Sequence, residues 1–433
     1  MIRRSAAPVA VLLVLLAMAA FAQQSPDARL RLDDVVREAI AHNPAIQRSS
    51  LMIEAQRHKV PQAKALPDPT LSVGWMGDPI PFKTMANDPS SYRSIGAMQM
   101  LPLWGKRGLR GEIAQKDVAS AQTESDASVR RVTADVKAAY YEYFYTGKAI
   151  DITNRDKALL QQISDVTESR YRVGKAAQPD VLRSQVELTM LIQRLTMLQQ
   201  QRNIAQARLN TLMGRAADAP LPPAEEINRA ALPNSTEVLA AAEKSDPDLA
   251  REQINIARSR LMADLAKREY RPDLSVGYMY EQRTGMPDMH GVTFSVNIPV
   301  FYKQKQQEAL KQAQVEAAAG EKSRENRLNE LHYELRQMFT MAQTADSLMQ
   351  LYEKAILPQT QLTLDSSRAG YSVGSVDFQT VLSNFTNLHS YQLEYYRQLA
   401  DYQIALARLE SLTGTALTAA ASTPEAPAAK ETK

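Results

Sequence analysis

Apolar positions recur along this chain with two different periods. Between Phe378 and Leu409 they fall at Phe378, Val381, Phe385, Leu388, Tyr395, Leu399, Tyr402, Leu406 and Leu409. Steps of three and four, broken only at Gln392, predict a long helix with one seam facing a partner helix. Elsewhere the period drops to two. Thr70–Met76 sets Leu71, Val73 and Trp75 against Ser72, Gly74 and Met76, and Leu274, Val276, Tyr278 and Tyr280 alternate with Ser275, Gly277 and Met279. Val292, Phe294, Val296 and Ile298 alternate with Thr293, Ser295 and Asn297. These stretches predict strands. Tyr92–Leu101 alternates less cleanly, and Pro102 and Pro299 close the second strand of each pair.

The whole succession occurs twice. Leu71-Ser-Val-Gly74 returns as Leu274-Ser-Val-Gly277, Asn43-Pro44 as Asp246-Pro247, and Tyr171-Arg-Val-Gly174 as Tyr371-Ser-Val-Gly374. Ala207-Arg-Leu-Asn-Thr-Leu-Met-Gly214 likewise returns as Ala407-Arg-Leu-Glu-Ser-Leu-Thr-Gly414. Each copy reads helix, β-hairpin, long helix, helix. The first copy spans residues 23–214, with strands at about 69–77 and 92–101 and a helical hairpin at about 105–213 whose tip lies at about 171–179. A proline-punctuated linker covers 215–233. The second copy spans 234–414, with strands at about 272–281 and 290–298 and a hairpin at about 303–413 whose tip lies at about 370–377. Residues 415–433, rich in Ala, Pro, Glu and Lys, read as a disordered tail.

Roughly sixty helical residues reach about 90 Å, more than a compact globule needs. Strands of about ten residues with one apolar and one small or polar face suit a barrel wall with lipid outside and water inside. Four strands cannot close, and open edges are not tolerated in lipid, so several copies must pool their hairpins. The fold class expected is mainly α with a transmembrane β segment. A soluble periplasmic coiled coil is the alternative, but it leaves the alternating strands without a purpose.

The opening MIRRSAAPVAVLLVLLAMAAFAQQ has a basic start, a short apolar run and small residues at Ala20 and Ala22, so residues 1–22 read as a secretory signal peptide. Cysteine is absent, which excludes disulfides, thiolate metal sites and thiol nucleophiles. The net charge of +3 comes from interspersed signs with no long basic run, which argues against a nucleic-acid partner.

The duplication, the strand ends Leu101-Pro-Leu-Trp104 and Ile298-Pro-Val-Phe301, the tips at Val173-Gly174 and Val373-Gly374, and the closing Gly214 and Gly414 resemble the outer-membrane factors of the TolC type. Those proteins are the exit ducts of tripartite efflux and type I secretion systems. The resemblance implies a homotrimer with a twelve-stranded barrel in the outer membrane of a Gram-negative-type bacterium, continued by a helical tunnel through the periplasm. It implies as partners outer-membrane lipid, a periplasmic adaptor of the membrane fusion protein class, and an inner-membrane pump of the resistance-nodulation-division type. No cofactor is implied. Val173, Gly174, Val373 and Gly374 are then adaptor contacts. Family members often close the mouth with carboxylates after the second tip; here Thr380 and Ser383 stand at those positions, and Asp377 is the nearest acid. The stretch Trp104-Gly-Lys-Arg-Gly-Leu-Arg-Gly-Glu-Ile-Ala114 resembles the heavy-metal branch of the family.

Candidate chemistry adds little to a conduit. Gly370-Tyr-Ser-Val-Gly374 matches the G-x-S-x-G of a hydrolase elbow, but a helix, not a strand, precedes the serine. The five histidines show no paired ligand spacing. Of seventeen methionines, Met76, Met85, Met98, Met100, Met279, Met286 and Met289 collect in the two strand regions. Met76, Met279, Met286 and Met289 with His290 form a soft donor set that suits copper(I) or silver(I) passing outward, or else fill irregular space. Lys106, Arg107 and Arg110 either meet anionic headgroups or mark a solvated helix start. A general multidrug or type I secretion duct is the alternative function.

Overall fold

The computed structural model describes residues 29–77, 80 and 82–417; the signal segment 1–22 and most of the tail lie outside these. In chain order the elements are α1 (Leu32–His42), α2 (Pro44–Lys64), β1 (Thr70–Met76), β2 (Tyr92–Leu101), α3 (Lys106–Arg172), α4 (Gln178–Leu212), α5 (Ser235–Ser245), α6 (Pro247–Arg268), β3 (Asp273–Gln282), β4 (Met289–Asn297), α7 (Gln306–Leu351), a π-turn (Tyr352–Ile356), α8 (Leu357–Val373) and α9 (Phe378–Thr413). The duplication is visible in local chemistry. Asn43 caps α2 by accepting the Ala45 N–H at 2.9 Å, and Asp246 caps α6 by accepting the Leu249 N–H at 2.7 Å. In both, the following proline takes an early helical position, where its missing N–H has no partner to lose.

The four strands form one antiparallel sheet in the order β1-β2-β3-β4, so β1 and β4 are its edges. The loops at the far end of the sheet are joined: the Thr84 and Thr284 hydroxyls are 2.6 Å apart, and the Asn87 N–H donates to the Thr284 carbonyl at 3.1 Å.

At the other end the strands pass into helices. Helix α3 is 67 residues long, or about 100 Å at 1.5 Å per residue. It begins at Lys106, just after Trp104 and Gly105 turn the backbone through positive φ. The second long helix is interrupted by the π-turn. Pro358, which has no N–H and crowds the carbonyl four residues back, lies immediately after this extra-wide turn.

The seam read on α9 is its buried face. Phe378, Val381, Phe385, Leu388, Leu399, Tyr402, Leu406 and Leu409 are all buried against α3, α7 and α8. The Tyr402 hydroxyl donates to the Ala230 carbonyl at 2.9 Å, and burial pushes its pKa up to about 12. The linker is pinned to this body. Leu30 and Ala224 form a parallel bridge, and the Tyr143 hydroxyl donates to the Leu221 carbonyl at 3.1 Å.

Candidate functional site

Strand register sorts the side chains of the sheet onto two faces. Opposed residues share a face, so Leu71, Val73 and Trp75 lie with Ile95 and Ala97, with Leu274, Val276 and Tyr278, and with Val292, Phe294 and Val296. The other face carries Ser72, Gly74, Ser94, Gly96, Ser275, Gly277, Gly291, Thr293 and Ser295, together with methionines. Met98 opposes Gly277, Met279 opposes Gly96 and Gly291, and Met289 opposes Glu281. Met98, Met279 and Met289 are therefore successive diagonal neighbours on three adjacent strands, about 7–8 Å apart.

The register divides the predicted donor set. His290 opposes Tyr280 and so stands on the apolar face, where its Nδ1 lies 2.7 Å from the Tyr278 hydroxyl. Met279 and Met289 are on the opposite face, and His290 does not join them. Met76 shares their face but lies two strands and four residues from Met279, about 16 Å away. Met286 is in the loop between β3 and β4. Among the described residues no group of three His, Cys, Asp or Glu is placed to hold a metal ion.

At the far end of the long helices the two tips lie together. Gly174 and Gly374 adopt φ values of 72° and 83°, which L side chains rarely do, and each closes its helix with paired hydrogen bonds. Lys175 N–H donates to the Arg170 carbonyl at 2.8 Å, and Ser375 N–H to that of Gly370 at 2.9 Å. Arg170 crosses between the tips: its guanidinium donates to the Ser372 carbonyl at 2.7 Å and lies over the Tyr371 ring at 4.7 Å. Val173 and Val373 project into solvent, 67% and 81% exposed. Ser372 donates to the Ala369 carbonyl inside a helix end, so the G-x-S-x-G is a helix terminus and no nucleophile elbow.

Asp377, Thr380 and Ser383 follow the second tip. The Asp377 carboxylate caps α9, accepting the Thr380 N–H at 2.7 Å, and these hydrogen bonds from Thr380 hold its pKa below the usual carboxylate range. Thr380 and Ser383 are exposed and neutral. Above the mouth, polar links cross between the two hairpins. Arg183 donates to the Gln379 side chain at 2.7 Å, Arg155 donates to Gln392, and the buried Asp156 lies 2.8 Å from His389 Nδ1.

The sequence profile of the family described as outer membrane efflux protein matches residues 35–215 and 238–415, which is most of the chain. The chain belongs to that family. It is similar to the outer membrane protein TolC of Escherichia coli K12, with 21% identity over 414 residues, 89% of this chain and 82% of that one. Among solved structures it resembles CusC, with a TM-score of 0.76 and 15% identity, covering 89% of this chain and 92% of that one. It also resembles the open-state MtrE channel of Neisseria gonorrhoeae, with a TM-score of 0.72 and 16% identity, covering 90% of each chain.

Outer membrane efflux proteins of this kind are homotrimeric channels of tripartite systems that work with an adaptor and an inner-membrane pump; they are not enzymes. Three copies of a four-stranded sheet close the exposed β1 and β4 edges into twelve strands. Val186, Met190, Met197 and Ile204 form an apolar stripe exposed on α4 at coiled-coil spacing. No helix among the described residues is long and apolar enough to cross a membrane. The cross-hairpin links were not found from sequence. Gln392 alone left a signal, as the polar interruption of an apolar seam.

Proposed function

We propose that this channel is the exit duct for soft metal cations, copper(I) or silver(I), delivered by a pump of the resistance-nodulation-division type through an adaptor seated on Val173, Gly174, Val373 and Gly374. The observation that supports the cargo is the diagonal of Met98, Met279 and Met289 on the small-residue face of the sheet, the face a barrel turns to its lumen. Thioethers are soft, neutral donors, and spacing them one per strand offers weak successive contacts that release an ion as readily as they take it. His290 has no part in this track. At the mouth, Asp377 serves as a helix cap, so closure falls to neutral Thr380 and Ser383 and to the links between hairpins.

Each of Met98 and Met279 also lies across a glycine, which favours a second reading: sulfur as filler in the wall of a general multidrug or type I secretion duct. The triple replacement Met98→Leu, Met279→Leu and Met289→Leu keeps bulk and removes sulfur. Cells dependent on this channel should then lose copper and silver tolerance while a neutral organic cargo is still exported and trimer abundance is unchanged. Undiminished metal tolerance would leave the methionines as filler and favour the general duct.

A further inference from the structure

All four strands meet the helices at one level, forming a collar at the periplasmic end of the barrel. The two carboxylates just before and at the start of β3 are already engaged. Asp273 accepts from Lys106 at 2.9 Å and from the Leu103 N–H at 3.1 Å, and Glu269 faces both Lys106 at 3.6 Å and Arg110 at 3.2 Å. Lys106 is 1% exposed, so neither it nor Arg110 is the free headgroup contact that the sequence suggested. Arg268 and Arg271, by contrast, have no carboxylate within ion-pair reach among the described residues. Arg268 donates to the Trp104 carbonyl, and the exposed Arg271 guanidinium lies 5.1 Å from the centre of the Trp104 indole.

Trp104 is held where a tryptophan is costly. Its φ of 63° lies in the left-handed region, which disfavours an L side chain by roughly 1–2 kcal/mol. The indole N–H secures it by donating to the Pro272 carbonyl at 2.8 Å, yet the residue remains 45% exposed. Strain kept at a bulky, exposed side chain points to a use for the ring. Trp104 follows β2 and Arg271 precedes β3, the two central strands, so the pair stays clear of the β1 and β4 edges where copies join. An indole at interface depth beside two uncompensated guanidiniums matches the chemistry of an anionic lipid: an apolar body below a phosphate.

We propose that Trp104, Arg268 and Arg271 bind the headgroup phosphate of an anionic phospholipid in the periplasm-facing leaflet. The site is independent of what the channel conducts and rests only on the outer-membrane placement. The mature full-length trimer, reconstituted in phosphatidylethanolamine vesicles containing a minority of phosphatidylglycerol, is extracted, and the lipids it retains are read by native mass spectrometry. Phosphatidylglycerol should be enriched over phosphatidylethanolamine. Arg271→Gln should cut that enrichment about fivefold and the Arg268→Gln, Arg271→Gln pair about 25-fold, at roughly one surface arginine's electrostatic contribution each. Arg271→Lys should retain it, which separates loss of charge from misfolding, with trimer mass as the fold check. Equal retention of the two lipids by the parent channel, or equal enrichment in parent and double variant, overturns the site. Complete displacement by inorganic phosphate alone would assign it to free phosphate and overturn the lipid.

Discussion

Arg170, in the last turn of α3, donates its Nη1 hydrogen to the Ser372 carbonyl at 2.7 Å, and this ties the tip of the first hairpin to the tip of the second. The two residues are 202 positions apart, one in each copy of the repeat. The same guanidinium covers Tyr371, whose hydroxyl donates back to Thr167 at 3.3 Å.

Removing the tie should loosen the second tip. A charge-assisted hydrogen bond contributes about 1.5 kcal/mol, or about tenfold in an opening equilibrium. In Arg170→Ala, hydrogen exchange at the Gly374 and Ser375 amides should quicken by about that factor while the α9 core is unaffected. Unchanged exchange at those two amides would mean that the tie holds nothing.

Val173 and Val373 offer a cleaner test of the adaptor surface than the glycines beside them. A side chain at Gly174 or Gly374 is strained by the positive φ, whereas the valines are exposed and neither has a positive φ. Val173→Asp combined with Val373→Asp should abolish efflux and adaptor crosslinking with the trimer intact in the outer membrane. Normal crosslinking would remove these residues from the docking surface.

The Asp377 cap gives a signed dependence on acid. Its pKa is lowered in the folded chain, so its contribution is present above the unfolded value of about 3.9 and is lost as pH falls through the folded value. Asp377→Asn retains a capping oxygen and should remove the pH dependence with little change at neutrality. Asp377→Ala should fray the first turn of α9 at every pH. Helix exchange rates between pH 3 and pH 7, about a pH unit below to three above the unfolded value, distinguish them.

Tyr402 works in the opposite sense. Its folded pKa of about 12 lies above the unfolded value of about 10, so its contribution is complete below pH 10 and is lost as pH rises towards 12. Tyr402→Phe leaves the Ala230 carbonyl without its donor, which costs about 1 kcal/mol at neutral pH, and should flatten the alkaline limb of a denaturation profile. An alkaline limb of undiminished steepness would place the titrating group elsewhere.

Much of this architecture was legible because apolar periodicity is a local signal. The strand faces followed from parity: Leu71, Val73 and Trp75 lie together as their alternation requires. Parity also held the answer for His290, which shares it with Val292 and Phe294; grouping it with the loop methionines by closeness in sequence put it on the wrong face. What stayed hidden depends on distant pairing. The burial of Lys106 requires Asp273, 167 residues on, and His389 meets Asp156 across 233 residues. Nothing near Lys106 in the chain marks it as different from Arg107.

The π-turn has a consequence for how the lower part of the tunnel is registered. Above it, α7 buries Ala342, Ala345 and Met349; below it, α8 buries Leu364, Ser367 and Tyr371, with the same three-then-four spacing. Corresponding positions are displaced by three heptads plus one residue, so the wide turn absorbs a single-residue insertion and resets the phase of the helix. Without that correction the segment leading to Gly374 would be rotated by about 100° about its axis, with Tyr371 swung away from Thr167. Deleting Ala355 should therefore let α7 and α8 run on as one regular helix with Tyr371 still facing Thr167, whereas inserting one alanine beside it should leave the collar and barrel intact and misorient only the second tip, about 28 Å away.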